Sequence, residues 1–98
     1  MALPWTGQRQ RQMNCSPDEF RRALVQAFGA EVSGDQRVLW LTRGPVTLAF
    51  RMRTEAGRQL GLLHIAVLHV DIAVERGDES AVTALLTEVD RATLRGGG

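Results

Sequence analysis

The sequence has no lysine, no tyrosine and a single cysteine, Cys15. Without lysine there is no side-chain Schiff base, no lysine general base and no phosphate-loop lysine. One cysteine forms no disulfide within the chain and builds no thiolate zinc cluster. That usage suits a reducing, cytoplasmic compartment. No G-x-S-x-G nucleophile elbow and no glycine-rich phosphate cradle occurs. The longest apolar stretch, residues 60–74, is broken by His64, His69 and Asp71, too short and too polar for a bilayer. The first ten residues lack the charged start and apolar stretch of a signal peptide. These absences leave a chain for which no catalytic residue, metal ligand set or cofactor is assigned.

What remains has a globular balance: 44% apolar and 23% charged residues. The 98 residues allow one domain. All twelve basic residues are arginine, a usage that a GC-rich bacterial genome explains. Residues 1–60 hold nine arginines against five acids, a balance of +4. Residues 61–98 hold three against six, a balance of −3. A chain divided in this way suits self-association better than wholesale nucleic-acid binding.

Residues 1–14 read as a disordered arm, because Gln8 to Gln12 is polar without apolar periodicity. Leu3 and Trp5 are the side chains that could dock on the body, and the arm is expected to be dispensable for folding. A translation start at Met13 would account for the arm equally well. Ser16, Pro17 and Glu19 form a helix start, a capping box with proline in the first turn. Phe20, Ala23, Leu24, Ala27 and Phe28 follow as one apolar stripe, closed by Gly29. Residues 30–32 read as a short edge strand, Ser33 to Asp35 as a turn, and Val38 to Leu41 as a strand. Arg43, Gly44 and Pro45 break that strand. Val46 to Arg53 then alternates, with Val46, Leu48, Phe50 and Met52 on one face.

Glu55 to Arg58 reads as the next turn, which sets Phe50 opposite Leu63 and Leu48 opposite Ile65. Residues 60–75 then make an overlong run whose apolar phase changes near Val67. Three accounts fit: a bulge near Val67 or Leu68, a strand that leaves one sheet to join another in the same chain or a twin subunit, or a helix. Frequent β-branched residues favour strand. Leu68, Val70, Ile72 and Val74 are therefore expected at a contact between copies. Asp78 or Ser80 caps a last helix to about Leu94, with Val82, Leu85, Leu86 and Val89 as its stripe. Residues 96–98 read as a frayed tail. Leu94 to Gly97 spells the end of ubiquitin-like modifiers, but those tails follow a strand rather than a helix. The expected fold is a single α+β domain over 15–95. It is a two-layer sandwich in the order helix, three or four antiparallel strands, helix.

Three functions follow from this reading. The first is a small non-catalytic interaction or adaptor protein, a homodimer with itself or an unidentified protein as partner and no membrane contact. Small secretion chaperones share this size and a helix-plus-sheet dimer plan, but a pI near 8.0 argues against that likeness. The second is a nucleic-acid-binding module using Arg51, Arg53 and the basic arm; it is disfavoured because stacking aromatics are lacking beyond Trp40. The third is a small metal-dependent enzyme around His69 and Asp71, which share a strand face with Glu75. An exposed aromatic beside Arg51 favours the second, a third ligand near His69 and Asp71 favours the third, and a large flat apolar face favours the first.

Overall fold

A computed structural model gives the fold and describes residues 9–35, 37–60 and 63–97, with side chains outside 56–60, 63–66 and 94–97. Residues 1–8, with Leu3 and Trp5, and Gly98 lie outside the described residues. The elements in chain order are β1 (Arg9–Met13), α1 (Pro17–Phe28), a 3₁₀ turn (Gly29–Glu31), β2 (Val32–Gly34), β3 (Val38–Arg43), β4 (Val46–Leu60), β5 (Leu63–Arg76) and α2 (Glu79–Gly97). The strands form one antiparallel sheet in the order β1-β5-β4-β3-β2. The chain is thus a compact α+β domain with five strands, one more than the upper expectation.

The added strand is β1. The arm expected to be loose over 1–14 is ordered at Arg9–Met13, where it pairs with Leu68–Ile72 of β5. Gln10 and Gln12 are exposed while Arg9, Arg11 and Met13 are half-buried. The inward positions are thus two arginines and a methionine. Arginine stems cover apolar surface while the head stays polar, so this strand lacks an apolar alternation in its sequence.

Helix α1 starts as its residues dictate. Ser16 Oγ accepts from Glu19 N and Glu19 Oε1 accepts from Ser16 N, both at 3.1 Å. Gly29 ends the helix at φ +59° and donates its N–H to Val25 O. Phe20, Leu24 and Phe28 are buried; Ala27, expected on the stripe, is exposed. Helix α2 is capped by Asp78, whose Oδ1 accepts from Ala81 N at 2.8 Å. It continues to Gly97, past the expected end at Leu94 and into the supposed tail. Its stripe of Val82, Leu85, Leu86 and Val89 is buried, together with Thr93, whose hydroxyl donates to Val89 O at 2.9 Å.

Both helices cover one face of the sheet. Leu39 and Leu41 of β3, Val46, Leu48 and Phe50 of β4, and Leu68, Val70 and Ile72 of β5 form a single core with them. Phe20 of α1 meets Phe50 edge to face, with ring centroids 5.8 Å apart. Leu68 and Val70 are 0% and Ile72 1% exposed, and Val74 packs at the margin. These four residues therefore occupy the chain's own core, not the contact between copies expected of them. The reason is register. Glu55 to Arg58 is not the turn; β4 continues to Leu60, Phe50 pairs with Ile72, and Leu48 pairs with Val74. The apolar even-numbered residues of β5 then face the helices without a bulge at Val67 or Leu68. The irregularity expected near Val67 falls on the strand facing it. One extra residue on β4 falls between Glu55 and Arg58, and one on β5 lies opposite the Thr47–Leu48 step.

Two close approaches fix the turns. Gly34 has φ +109°, and a Cβ there would sit 2.3 Å from Val38 O. Gly77 joins β5 to α2 at φ +123°, where a Cβ would lie 3.0 Å from Val46 Cγ2 and 3.1 Å from Val82 Cγ2. No side chain fits at either position without displacing its neighbours.

Candidate functional site

With the helices on one side, the sheet presents its other face outward. Residues opposite in parity to the core line it: Gln10 and Gln12 of β1, His69, Asp71 and Ala73 of β5, Ala49, Arg51, Arg53 and Glu55 of β4, and Val38, Trp40 and Thr42 of β3. The register sets them in rows across the sheet. Gln10, Asp71, Arg51 and Val38 make one row; Gln12, His69 and Arg53 make the next. Ala73, Ala49 and Trp40 make a third on the other side of the first.

Arg51 and Arg53 stand where the alternation of β4 placed them, exposed and without an ion pair to any described residue. Trp40, 38% exposed, lies on the same face, one row from Arg51. Sequence reasoning named Trp40 only as a neighbour on the adjacent strand. The burial of Leu39 and Leu41 on either side is the signal that turns it outward. Between Trp40 and Ala73, Ala49 is 2% exposed although it faces away from the helices. Its small side chain leaves a low point in the surface. Beside it a depression of about 410 Å³ is lined by Arg9, Gln10, Arg51, Asp71, Ile72 and Ala73.

His69 and Asp71 share this face, but His69 pairs with Glu55 instead, Nε2 to Oε2 at 3.3 Å. Among the described residues no three histidine, cysteine, aspartate or glutamate side chains converge to hold a metal ion. Cys15 is 7% exposed, and burial first, then the charge of Glu19, pushes its thiol pKa up, away from a reactive thiolate.

Other arginines are committed elsewhere. Arg43 bridges Glu31 at 3.2 Å and Glu88 at 3.0 Å, 5.0 Å above the Phe28 ring. The hydrogen bond to Glu88 leads in raising its pKa. Arg11 binds Asp90 on the helix side. The outward face therefore has mixed charge: two arginines on β4 beside Asp71 and His69 on β5.

The second notable feature is the β4–β5 hairpin beyond the body. On its outer side β4 is paired by β3 only up to Arg51, with one further bond from Met52 N to Arg37 O. β5 is paired by β1 only from Leu68 onward. Among the described residues, no strand covers the outer edge of Arg53–Leu60 or of Leu63–Val67. No helix of the described residues is long and apolar enough to cross a membrane. No known protein family matches the chain, and no curated protein matches it significantly.

Proposed function

We propose that this chain is a small non-catalytic interaction or adaptor protein that works as a homodimer in a bacterial cytoplasm. The observation that carries the reading is the projecting hairpin. A two-stranded hairpin alone is marginal in water, and this one joins Leu60 to Leu63 and Arg58 to Ile65 in register, with no described strand on either outer edge. Bare edges invite pairing or cover by another chain. A second copy is the simplest cover, and the uneven charge of the two halves of the sequence suits it. Among the described residues both helices lie on one side of the sheet, which leaves the other face for the same purpose. A lone cysteine held as a buried thiol agrees with a reducing compartment.

Light scattering of the full chain is the test. It should read twice the 10.8 kDa chain mass. Replacing residues 56–66 by Asn-Gly joins the paired Glu55 and Val67 through a two-residue hairpin, and should give a folded protein of single chain mass. A wild-type chain that stays monomeric up to its solubility limit overturns the reading.

One observation favours a second reading, the single-stranded nucleic-acid binder: an exposed Trp40 on the face of Arg51 and Arg53 can stack a base beside phosphate contacts. Asp71 and Glu55 on the same face weaken it. Titration of labelled single-stranded RNA at low and moderate salt decides, because phosphate contacts make affinity fall steeply with salt. Tight binding lost in the Arg51→Ala, Arg53→Ala double variant would establish it.

A further inference from the structure

Resting on the homodimer reading, we infer that the two copies meet through their outward sheet faces, with β4 of each lying over β5 of the other. Three observations converge on this arrangement. The first is charge. Sheets that pack face to face keep their strands within about 30° of parallel. If the two-fold axis runs along the hairpin between β4 and β5, residues of one row exchange places across the interface. Arg51 and Asp71 are such a pair, side by side in register. Each Arg51 then lies over Asp71 of the second copy, and each Asp71 over its Arg51. The other symmetric stacking, β4 over β4, sets the strand of Arg51 and Arg53 against itself, like charge on like charge.

The second observation is shape. Trp40 stands one strand out from β4, in the row of Ala49 and Ala73. The same rotation carries it over the strip one strand out from β5. Toward the adjoining row of Arg51, the depression of about 410 Å³ opens there among Gln10, Arg51, Asp71 and Ala73. An indole on one copy thus meets a hollow on the other, twice, with Ala49 and Ala73 low enough to let the sheets close. Tryptophan, with tyrosine and arginine, is enriched among the pocket-filling anchors of protein interfaces.

The third is area. Same-face positions lie about 7 Å apart along a strand and strands about 4.8 Å apart. The outward positions of the described strands then offer roughly 500 Å² of flat sheet. A stable pair buries about 800 Å² per partner. The body alone falls short, and the hairpin supplies the balance, because the same axis stacks one arm upon the other. A single surface thereby accounts for the open face and the projecting arm together.

Sedimentation equilibrium of the full chain over a wide concentration range tests the inference. Trp40→Ala, Arg51→Asp and Asp71→Arg should each weaken self-association at least tenfold while keeping the far-UV circular dichroism of the wild type. The double variant R51D/D71R should regain it, since the exchanged charges again face opposites. A separate measurement needs no destabilising change at the face: in Trp5→Phe, where Trp40 is the only tryptophan left, iodide quenching should fall as concentration rises through the dimer dissociation constant. A monomeric wild type sinks the homodimer reading and this inference with it. A dimer unaffected by all three single variants, or equal quenching of Trp40 in both states, overturns the surface and leaves the dimer standing. Single variants that weaken the dimer without recovery in the double overturn the Arg51–Asp71 register.

Discussion

Arg11 on the first strand and Asp90 on the last helix share two parallel hydrogen bonds, Nε to Oδ1 at 2.8 Å and Nη2 to Oδ2 at 3.0 Å. The side chains are 29% and 35% exposed, and the hydrogen bond to Asp90 outweighs desolvation to raise the Arg11 pKa. This fork fastens an otherwise polar edge strand to the body. Arg11→Ala is expected to cost about 1 kcal/mol, the upper range for a partly exposed pair. Deleting residues 1–12 should cost more, because β5 also loses its pairing along His69–Ile72. Thermal unfolding reads both, at about 4 to 8 °C per kcal/mol for a domain of this size. A deletion without effect on the midpoint would restore the view of a dispensable arm.

The reciprocal bonds of Ser16 and Glu19 make the start of α1 sensitive to one hydroxyl. Ser16→Ala should lose about 1 kcal/mol in chemical denaturation. Arg22→Ala, which breaks only an exposed 3.5 Å pair with Asp18, should change little. Equal losses would mean that the cap contributes nothing beyond its surroundings.

Gly34→Ala must move the backbone, since its Cβ would press on Val38 O. A loss of about 1 to 3 kcal/mol is expected, against a near-neutral change for Ser33→Ala on the exposed neighbour. Urea midpoints of the two variants give the contrast, and similar values would refute the close approach.

Asp35 accepts from Arg37 N at 2.8 Å and Val38 N at 3.1 Å, and the Val38 and Arg37 bonds lead in lowering its pKa. A carboxyl whose folded pKa is depressed contributes stability above its unfolded pKa of about 3.9 and loses it as pH falls through the folded value. The Asp35 resonance should therefore titrate below the ordinary carboxylate range by NMR. Asp35→Ala should flatten part of the stability loss below about pH 4. An ordinary titration midpoint would show that the turn bonds do not discriminate between the two protonation states.

Val70, 0% exposed between helices and sheet, separates core from interface. Val70→Asp is expected to prevent folding, since a buried unpaired carboxylate is among the costliest single changes. A folded monomer from this variant would return Val70 to the contact between copies.

The parts of the fold readable from sequence are those in which local chemistry decides. The capping box at Ser16, the stripe of α2, and the alternation of Val46 to Met52 each depend on neighbours a few positions away. β1 was hidden because its inward side chains are arginines, and the partner of Arg11 lies 79 residues along the chain. The hairpin end was misplaced because Glu55 to Arg58 has turn composition yet holds a bulge. Moving the turn beyond Leu60 changes every partner of β4, and so sends Leu68, Val70 and Ile72 inward. The outward face was half legible: Arg51 and Arg53 followed from alternation, while Asp71 became a neighbour of Arg51 only through the true register.

Because β1 sits beside β5, the earliest of the described strands waits for the last of them. The pairing of Arg9–Met13 with Leu68–Ile72 cannot form on the ribosome until β5 has emerged, and Asp90 arrives later still. Contacts so distant along the chain slow folding. Until then the growing chain holds the apolar β3 and β4 with α1 but without α2, the second helix that covers them, an aggregation-exposed stage. A refolding rate limited by docking of this strand should slow further when Arg11 is removed, and stay unchanged when the cap at Ser16 is lost.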